Sequence, residues 1–176
     1  MPKLPRFAGL PMGMHRQKGF SLIELLIVVA IILIIAAIAI PNMARAKMAA
    51  NESAAVASMR TIVSAEVAYD AQGWTNPTAV GYSNLLLDLG STTCNPPTIS
   101  SACLLDDVLA NAAVSPKSGY LYTYKPVSSN GKNIDFALNS DPAMRGSSGQ
   151  RSFFTDATGV IRANVSNPST VQDPPI

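Results

Sequence analysis

The sequence predicts an α+β fold: a long N-terminal helix, hydrophobic in its first half and amphipathic in its second, packed on a C-terminal antiparallel β-sheet head. Three observations predict it. Residues 20–40 form a nearly unbroken run of Leu, Ile, Val and Ala, residues 42–72 contain neither Gly nor Pro, and from Gly119 onward tyrosines and then apolar residues recur at every second position.

The apolar run comes first. At 1.5 Å per residue it would reach about 31 Å as a helix, enough for the ~30 Å hydrocarbon core of a bilayer. A domain this small could hardly bury a helix that is apolar on every face. Lys3, Arg6, Arg16 and Lys18 precede the run and nothing comparable follows it, which places the N-terminus in the cytoplasm and the bulk of the chain outside. Pro41 lacks an N–H and its ring clashes with the carbonyl four residues back, so a kink or a locally melted turn is expected near Ala37. Helix then resumes. Val56, Met59, Val63 and Val67 recur at steps of three, four and four, the spacing of one helical face, and Gly73 is a C-cap signal, making one helix from Phe20 to about Gln72.

Between 73 and 118 the composition turns to Gly, Pro, Ser, Thr and Asn, with short apolar stretches at 85–89 and 104–113 that read as one or two short helices. Asp106 and Asp107 fall in the first turn of the second, where carboxylates suit the helix dipole; no third or fourth oxygen ligand is near enough in sequence to favour a metal site. Tyr120, Tyr122 and Tyr124 then alternate with Leu121 and Thr123 and point to one side of a strand. A turn at 128–131 feeds Ile134, Phe136 and Leu138, again at period two, and 151–155 and 160–165 flank a further turn at 156–159. The result is a four-stranded antiparallel meander. Three tyrosines on one face are expected to be half-buried against a helix rather than to form a stacking platform for bases or sugars. The tail, with Pro168, Pro174 and Pro175, reads as a loosely attached surface segment. The chain thus divides into a leader (1–19), a membrane or filament-core helix (20–41), the head's amphipathic helix (42–72), a loop region (73–118), the sheet (119–165) and the tail (166–176).

Charge excludes several functions. Lys and Arg number 13 against 11 Asp and Glu, but four of the basic residues precede Gly19, so the rest of the chain is net acidic and no polycation that coats nucleic acid. His15 is the single histidine. Removal of the leader would leave no imidazole for a triad, a general base or a metal site.

The junction Lys18-Gly19-Phe20-Ser21-Leu22-Ile23-Glu24 reverses the layout of a secretory signal, with basic residues and glycine before the apolar run and a carboxylate five residues after the glycine. Here the sequence resembles the type IV prepilin family, including the pseudopilins of type II secretion, over the stretch GFSLIELLIVVAIILIIAAIAIP from Gly19 to Pro41. Glycine, aromatic, acid, apolar run and proline all fall in register. The resemblance implies a prepilin peptidase and methyltransferase that cuts after Gly19 on the cytoplasmic side and methylates the new amine of Phe20. It also implies retention of the apolar helix, with Pro41 as the family's helix-bending proline.

Glu24 makes physical sense in this setting. A carboxylate in the bilayer costs about 2.5 kcal/mol or more and is normally there for a partner. The nearest cation would be the amine that cleavage creates at Phe20, which in a filament could pair with Glu24 of a neighbouring subunit; alternatively Glu24 snorkels to the cytoplasmic headgroups. Cys94 and Cys103 are the only cysteines, and an extracytoplasmic location favours a disulfide between them over two free thiols or an intermolecular bond.

Three function classes can be weighed. A structural filament subunit, a pilin of a type IV pilus or pilus-like filament, accounts for the long helix, the membrane carboxylate and the head. It would need the inner membrane, the peptidase, an assembly platform and further copies of itself, with no cofactor, no metal and no nucleic acid. Before assembly it would sit in the bacterial inner membrane as a single-pass protein; afterwards it would be an extracellular pilus or a periplasmic pseudopilus. A membrane-anchored enzyme fares worse, with no GxSxG, zinc cluster or phosphate loop, and with Lys117 and Ser118 as its nearest approach to a dyad. A binding module using Arg145, Arg151 and Arg162 lacks clustered aromatics. Asp141, Asp156 and Asp173 are too far apart for the calcium loop typical of major pseudopilins, which favours a pilin over a type II pseudopilin.

Overall fold

The computed structural model describes residues 19–74, 81–90, 94–166 and 168–176. Residues 1–18 of the leader, His15 among them, lie outside the described residues. Two compact units are distinguished, Met1–Ile40 and Pro41–Ile176.

Helix α1 runs Leu22–Ala71 and continues through Pro41, with helical backbone on either side of it. The melted turn expected near Ala37 is therefore not there: proline forfeits one backbone bond to Ala37, and the strong helix formers around it carry the helix across. Gln72 and Gly73 close the last turn onto Tyr69 and Asp70, and Gly73 takes the positive φ of 58° that a C-terminal cap demands.

In the second unit, the buried stripe of α1 is Glu52, Ala55, Met59, Ile62, Glu66 and Tyr69, with Ala65 beside it. The face expected from the valines is displaced by about one position. Val56 and Val63 flank the stripe half-buried, and Val67 is 55% exposed. Alternating steps of three and four do define the seam, but it runs through two carboxylates, a polar content that a search for apolar periodicity passes over.

A 3-10 helix Leu86–Leu89 and helix α2 Asp107–Ala110 follow. Asp106 caps α2, its Oδ2 accepting the Leu109 N–H at 3.3 Å. Backbone bonds lace 102–105 onto 88–90, among them Ala102 N–H to Asp88 O at 2.8 Å and Leu105 N–H to Leu89 O at 2.9 Å. Cys94 and Cys103 are bonded, with Cα atoms 5.7 Å apart.

Strands β1 Tyr120–Ser129, β2 Lys132–Pro142, β3 Ser152–Asp156 and β4 Arg162–Asn164 form an antiparallel meander in that order. The β1–β2 turn is Asn130-Gly131, both at positive φ (52° and 79°), the pairing a tight hairpin with matching twist requires. Ile134 does not join Phe136 and Leu138 on the inner face. Val127 pairs Asp135 and Ser128 pairs Asn133, so Ile134 is the extra residue of a β-bulge, 55% exposed, and Asn133 turns inward in its place. The inner face packs Tyr120, Tyr122, Phe136, Leu138 and Phe153 into one core with Met59, Ile62 and Tyr69 of α1 and with Leu86, Leu89 and Leu109.

The tail is tied down, contrary to the expectation of a loose segment. Ile176 N–H bonds to Ile161 O, Arg162 Nη1 donates to Asp173 O, Asn139 Nδ2 donates to Ser169 O, and Ser169 is buried. Proline content suggested looseness, but three prolines also remove donors that would otherwise need partners, and β4 is a short edge strand that gains from being covered.

Candidate functional site

The first unit is the apolar run itself. Its Leu, Ile and Val side chains, with Phe20, are 46–89% exposed from Phe20 to Ile40, a continuous apolar surface far beyond what a chain in water leaves open. α1 is the one described helix long and apolar enough to cross a membrane, by length and composition.

Glu24 sits in the first turn of α1 and closes it. Its Oε2 accepts the Ser21 N–H at 3.0 Å, while the Ser21 carbonyl accepts the Leu25 N–H at 3.3 Å. This is the carboxylate half of a capping box: the third helical residue reaches back to the amide ahead of the helix. Gly19, Phe20 and Ser21 are non-helical, and among the described residues nothing lies within 4 Å of where a Cβ on Gly19 would stand. Oε1 of Glu24 makes no hydrogen bond among the described residues. Pro41 lies inside α1 and begins the second unit.

In the second unit, two buried carboxylates on α1 hold the loops of the head, and neither was legible as a site residue. Glu52 accepts the N–H groups of Gln150 and Arg151 at 2.9 and 3.1 Å, and Arg151 Nε at 2.8 Å. Burial pushes its carboxyl up, but the two amides and the guanidinium together outweigh that and hold it below the usual carboxylate range. Glu66, fully buried, accepts Ser83 N–H at 2.9 Å and Ser83 Oγ–H at 2.6 Å. There desolvation prevails and the carboxyl is raised. Their spacing of two heptads within the buried stripe was the signal available in the sequence.

The other candidates are spent on structure. Tyr120 and Tyr124 are turned to the core and donate to Arg151 O at 2.8 Å and Ser83 O at 3.0 Å. Arg145 donates to Val165 O, Gln150 O and Ser152 Oγ, and Arg162 to the tail, so no basic patch is assembled from them. Lys117 Nζ is 3.4 Å from Asp106, and Ser118 next to it is exposed. Asp173 binds Asn164, Ser169 and Thr170, and Asp156 binds Thr158. Among the described residues no three His, Cys, Asp or Glu side chains gather in one place.

Comparison with known families points to the same segment, and two known proteins resemble the chain over part of its length. The prokaryotic N-terminal methylation motif matches residues 14–40. The chain is 46% identical over 56 residues to the type IV wide pilus major component PilA4 of Thermus thermophilus, and 44% identical over 54 residues to the type IV major pilin protein PilA of Myxococcus xanthus. Each match takes in about a third of this chain, 32% and 31%, and spans 43% and 24% of the relative's own length. No solved structure matches the chain at a comparable level. With the long apolar helix, its capping carboxylate and the four-stranded antiparallel head, the methylation motif and the two pilin relatives support placing the chain with the type IV pilins and prepilins.

Proposed function

We propose that the chain is a structural subunit of a type IV pilus or pilus-like filament, cut after Gly19, methylated on Phe20, and assembled through residues 20–40. The observation that carries this reading is the retained apolar surface with one carboxylate near its start, in a chain whose relatives are named as pilus components. An anchor needs only to be apolar and long enough, and Glu24 would be a cost without a return. In a polymer the pairing of Glu24 with the Phe20 amine of a neighbour sets the register of otherwise equivalent apolar contacts, since a mispaired carboxylate would stay desolvated.

Before assembly the N-terminus lies in the cytoplasm and the head beyond the inner membrane. Cleavage belongs to a prepilin peptidase and extrusion to an assembly platform. Two measurements test the reading together: the N-terminal mass of the protein taken from its native membrane, and electron microscopy of material sheared from cells. A methylated N-terminus at Phe20 and sheared filaments containing the chain are expected. A mature chain that keeps its leader, or that loses the apolar run, overturns it.

A further inference from the structure

Asn130-Gly131, at the tip of the β1–β2 hairpin, is the one asparagine-glycine pair in the sequence. Both residues are exposed and both hold positive φ, and among the described residues nothing lies within 4 Å of where a Cβ on Gly131 would stand. The Asn130 side chain makes no hydrogen bond among the described residues, so its amide is free to swing toward the peptide that follows it. Other asparagines are held or blocked. Asn76, Asn95 and Asn167 precede proline, whose nitrogen carries no hydrogen. Asn111, Asn133, Asn139 and Asn164 have their side-chain amides donating to Asp107 O, Tyr82 O, Ser169 O and Asp173 Oδ1.

We propose that Asn130 is a site of spontaneous modification, converted through a cyclic imide with Gly131 into aspartate and isoaspartate. The Gly131 nitrogen gives its proton to water and attacks Asn130 Cγ. A new C–N bond closes a five-membered succinimide, and the side-chain nitrogen leaves, reprotonated by water, as ammonia. Water then adds to one of the two ring carbonyls and the C–N bond there breaks. Breakage at Cγ gives aspartate on the original main chain; breakage at the backbone carbonyl gives isoaspartate, whose main chain runs through Cβ and Cγ. An amide and water go in, an acid and ammonia come out, and nothing is oxidised or reduced. Glycine suits the step because a Cβ on the attacking residue would crowd the ring. The turn must open for the attack, and an exposed two-residue tip closed by the Ser129–Lys132 pair opens at far less cost than the core.

The modification reaches beyond the tip. Either product adds a negative charge there, and isoaspartate lengthens the main chain of a turn whose two residues match the twist of the flanking strands. Asn133 follows two residues after Gly131 and fastens the loop ahead of the 3-10 helix. Its Nδ2 donates to Tyr82 O and Ser83 O at 2.9 and 3.0 Å, and its carbonyl accepts the Tyr82 N–H at 3.1 Å. Conversion at Asn130 therefore loosens the chain at Tyr82 and Ser83 as the protein ages. This holds for the head by itself and does not depend on the filament reading.

The test uses the full chain, purified from its native membrane in detergent and stored at neutral and at mildly alkaline pH. Samples are digested with trypsin at intervals, and the peptide 118–132 is followed by mass spectrometry, with electron-transfer fragmentation telling aspartate from isoaspartate. Asn130 is expected to convert about tenfold faster than Asn111 or Asn164, and faster still at the higher pH. Asn130→Gly, which keeps a residue suited to positive φ, should abolish the gain of acid in that peptide. Hydrogen exchange at the Tyr82 and Ser83 amides should quicken with storage in the wild type and stay constant in Asn130→Gly. Conversion at Asn130 no faster than at Asn111 and Asn164, a partial gain that does not grow with storage, or a gain that survives Asn130→Gly overturns the site. Conversion with unchanged exchange at Tyr82 and Ser83 overturns the loosening.

Discussion

Arg151 Nε lies 2.8 Å from Glu52 Oε2, joining residues 99 positions apart and fastening the start of β3 to α1. The second oxygen of Glu52 takes two backbone amides, so the carboxylate does more than pair a charge. Glu52→Ala, in a fragment starting at Asn42, is expected to lose about 1 to 3 kcal/mol, because two amides lose their acceptor. Arg151→Ala should cost less, about 1 kcal/mol or under, since Arg151 is 45% exposed and water screens its side of the pair. Urea titrations of the two variants measure both; equal losses would show that the ion pair, not the amides, carries the clamp. The carboxyl is held low in the fold, so its contribution is present above the ordinary carboxylate pKa and fades as pH falls through the lowered value.

That fragment is itself expected to fold as a monomer. The unit Pro41–Ile176 has one core uniting α1, the short helices and the sheet, and it leaves behind the exposed apolar run. Analytical ultracentrifugation with far-UV circular dichroism checks it, and a fragment that is unfolded or aggregated would show that the head needs residues 20–40.

Glu66 should behave in the opposite sense to Glu52. Desolvation raises its carboxyl, so the folded state binds a proton more readily than the unfolded chain. The charge therefore costs stability above the raised pKa, and the cost disappears as pH falls toward the ordinary value of about 4. Glu66→Gln keeps an acceptor for Ser83 and removes the charge. It is expected to match or exceed the wild type at neutral pH and to lose that advantage near pH 4. Melting temperatures across that range give the answer; an advantage independent of pH would assign the effect to packing.

The Cys94–Cys103 bond closes a nine-residue separation in the loop region between α1 and β1. Loop-closure entropy for such a ring is about 2 to 3 kcal/mol. Dithiothreitol should lower the melting temperature of the fragment, with thiol alkylation confirming reduction. An unchanged curve with both thiols alkylated would make the bond dispensable to the fold.

Glu24→Val should leave membrane insertion intact, since it removes a carboxylate from an apolar segment. Assembly should fail or become very slow. The ratio of sheared filament to membrane-held subunit, at matched expression, separates a filament carboxylate from an incidental one, and an unchanged ratio removes Glu24 from the mechanism.

Most of the architecture was legible because it rests on local rules. The apolar run, the helix free of Gly and Pro, the period-two strands and the Asn130-Gly131 turn each declare themselves within a few residues. What escaped depends on partners distant in sequence. Glu52 and Glu66 look like solvent-facing helix formers until Gln150, Arg151 and Ser83 are placed against them. Ile134 looks inward by alternation, and only the register of β1 against β2 reveals the bulge. The tail looked free because its anchors, Asn139, Ile161 and Arg162, belong to other strands. In the candidate site, the residues around Gly19 were readable as a contiguous motif.

The bond from Ser21 to Glu24 has a bearing on proteolysis. A helix that starts by its own cap leaves Gly19 and Phe20 outside the regular backbone, so the peptide bond between them is open to an enzyme that must grip an unfolded stretch. The same cap stops the helix from winding back over that bond. If the chain is cut after Gly19 as proposed, one oxygen of Glu24 guards the boundary between leader and mature helix, while the other stays open to an incoming amine.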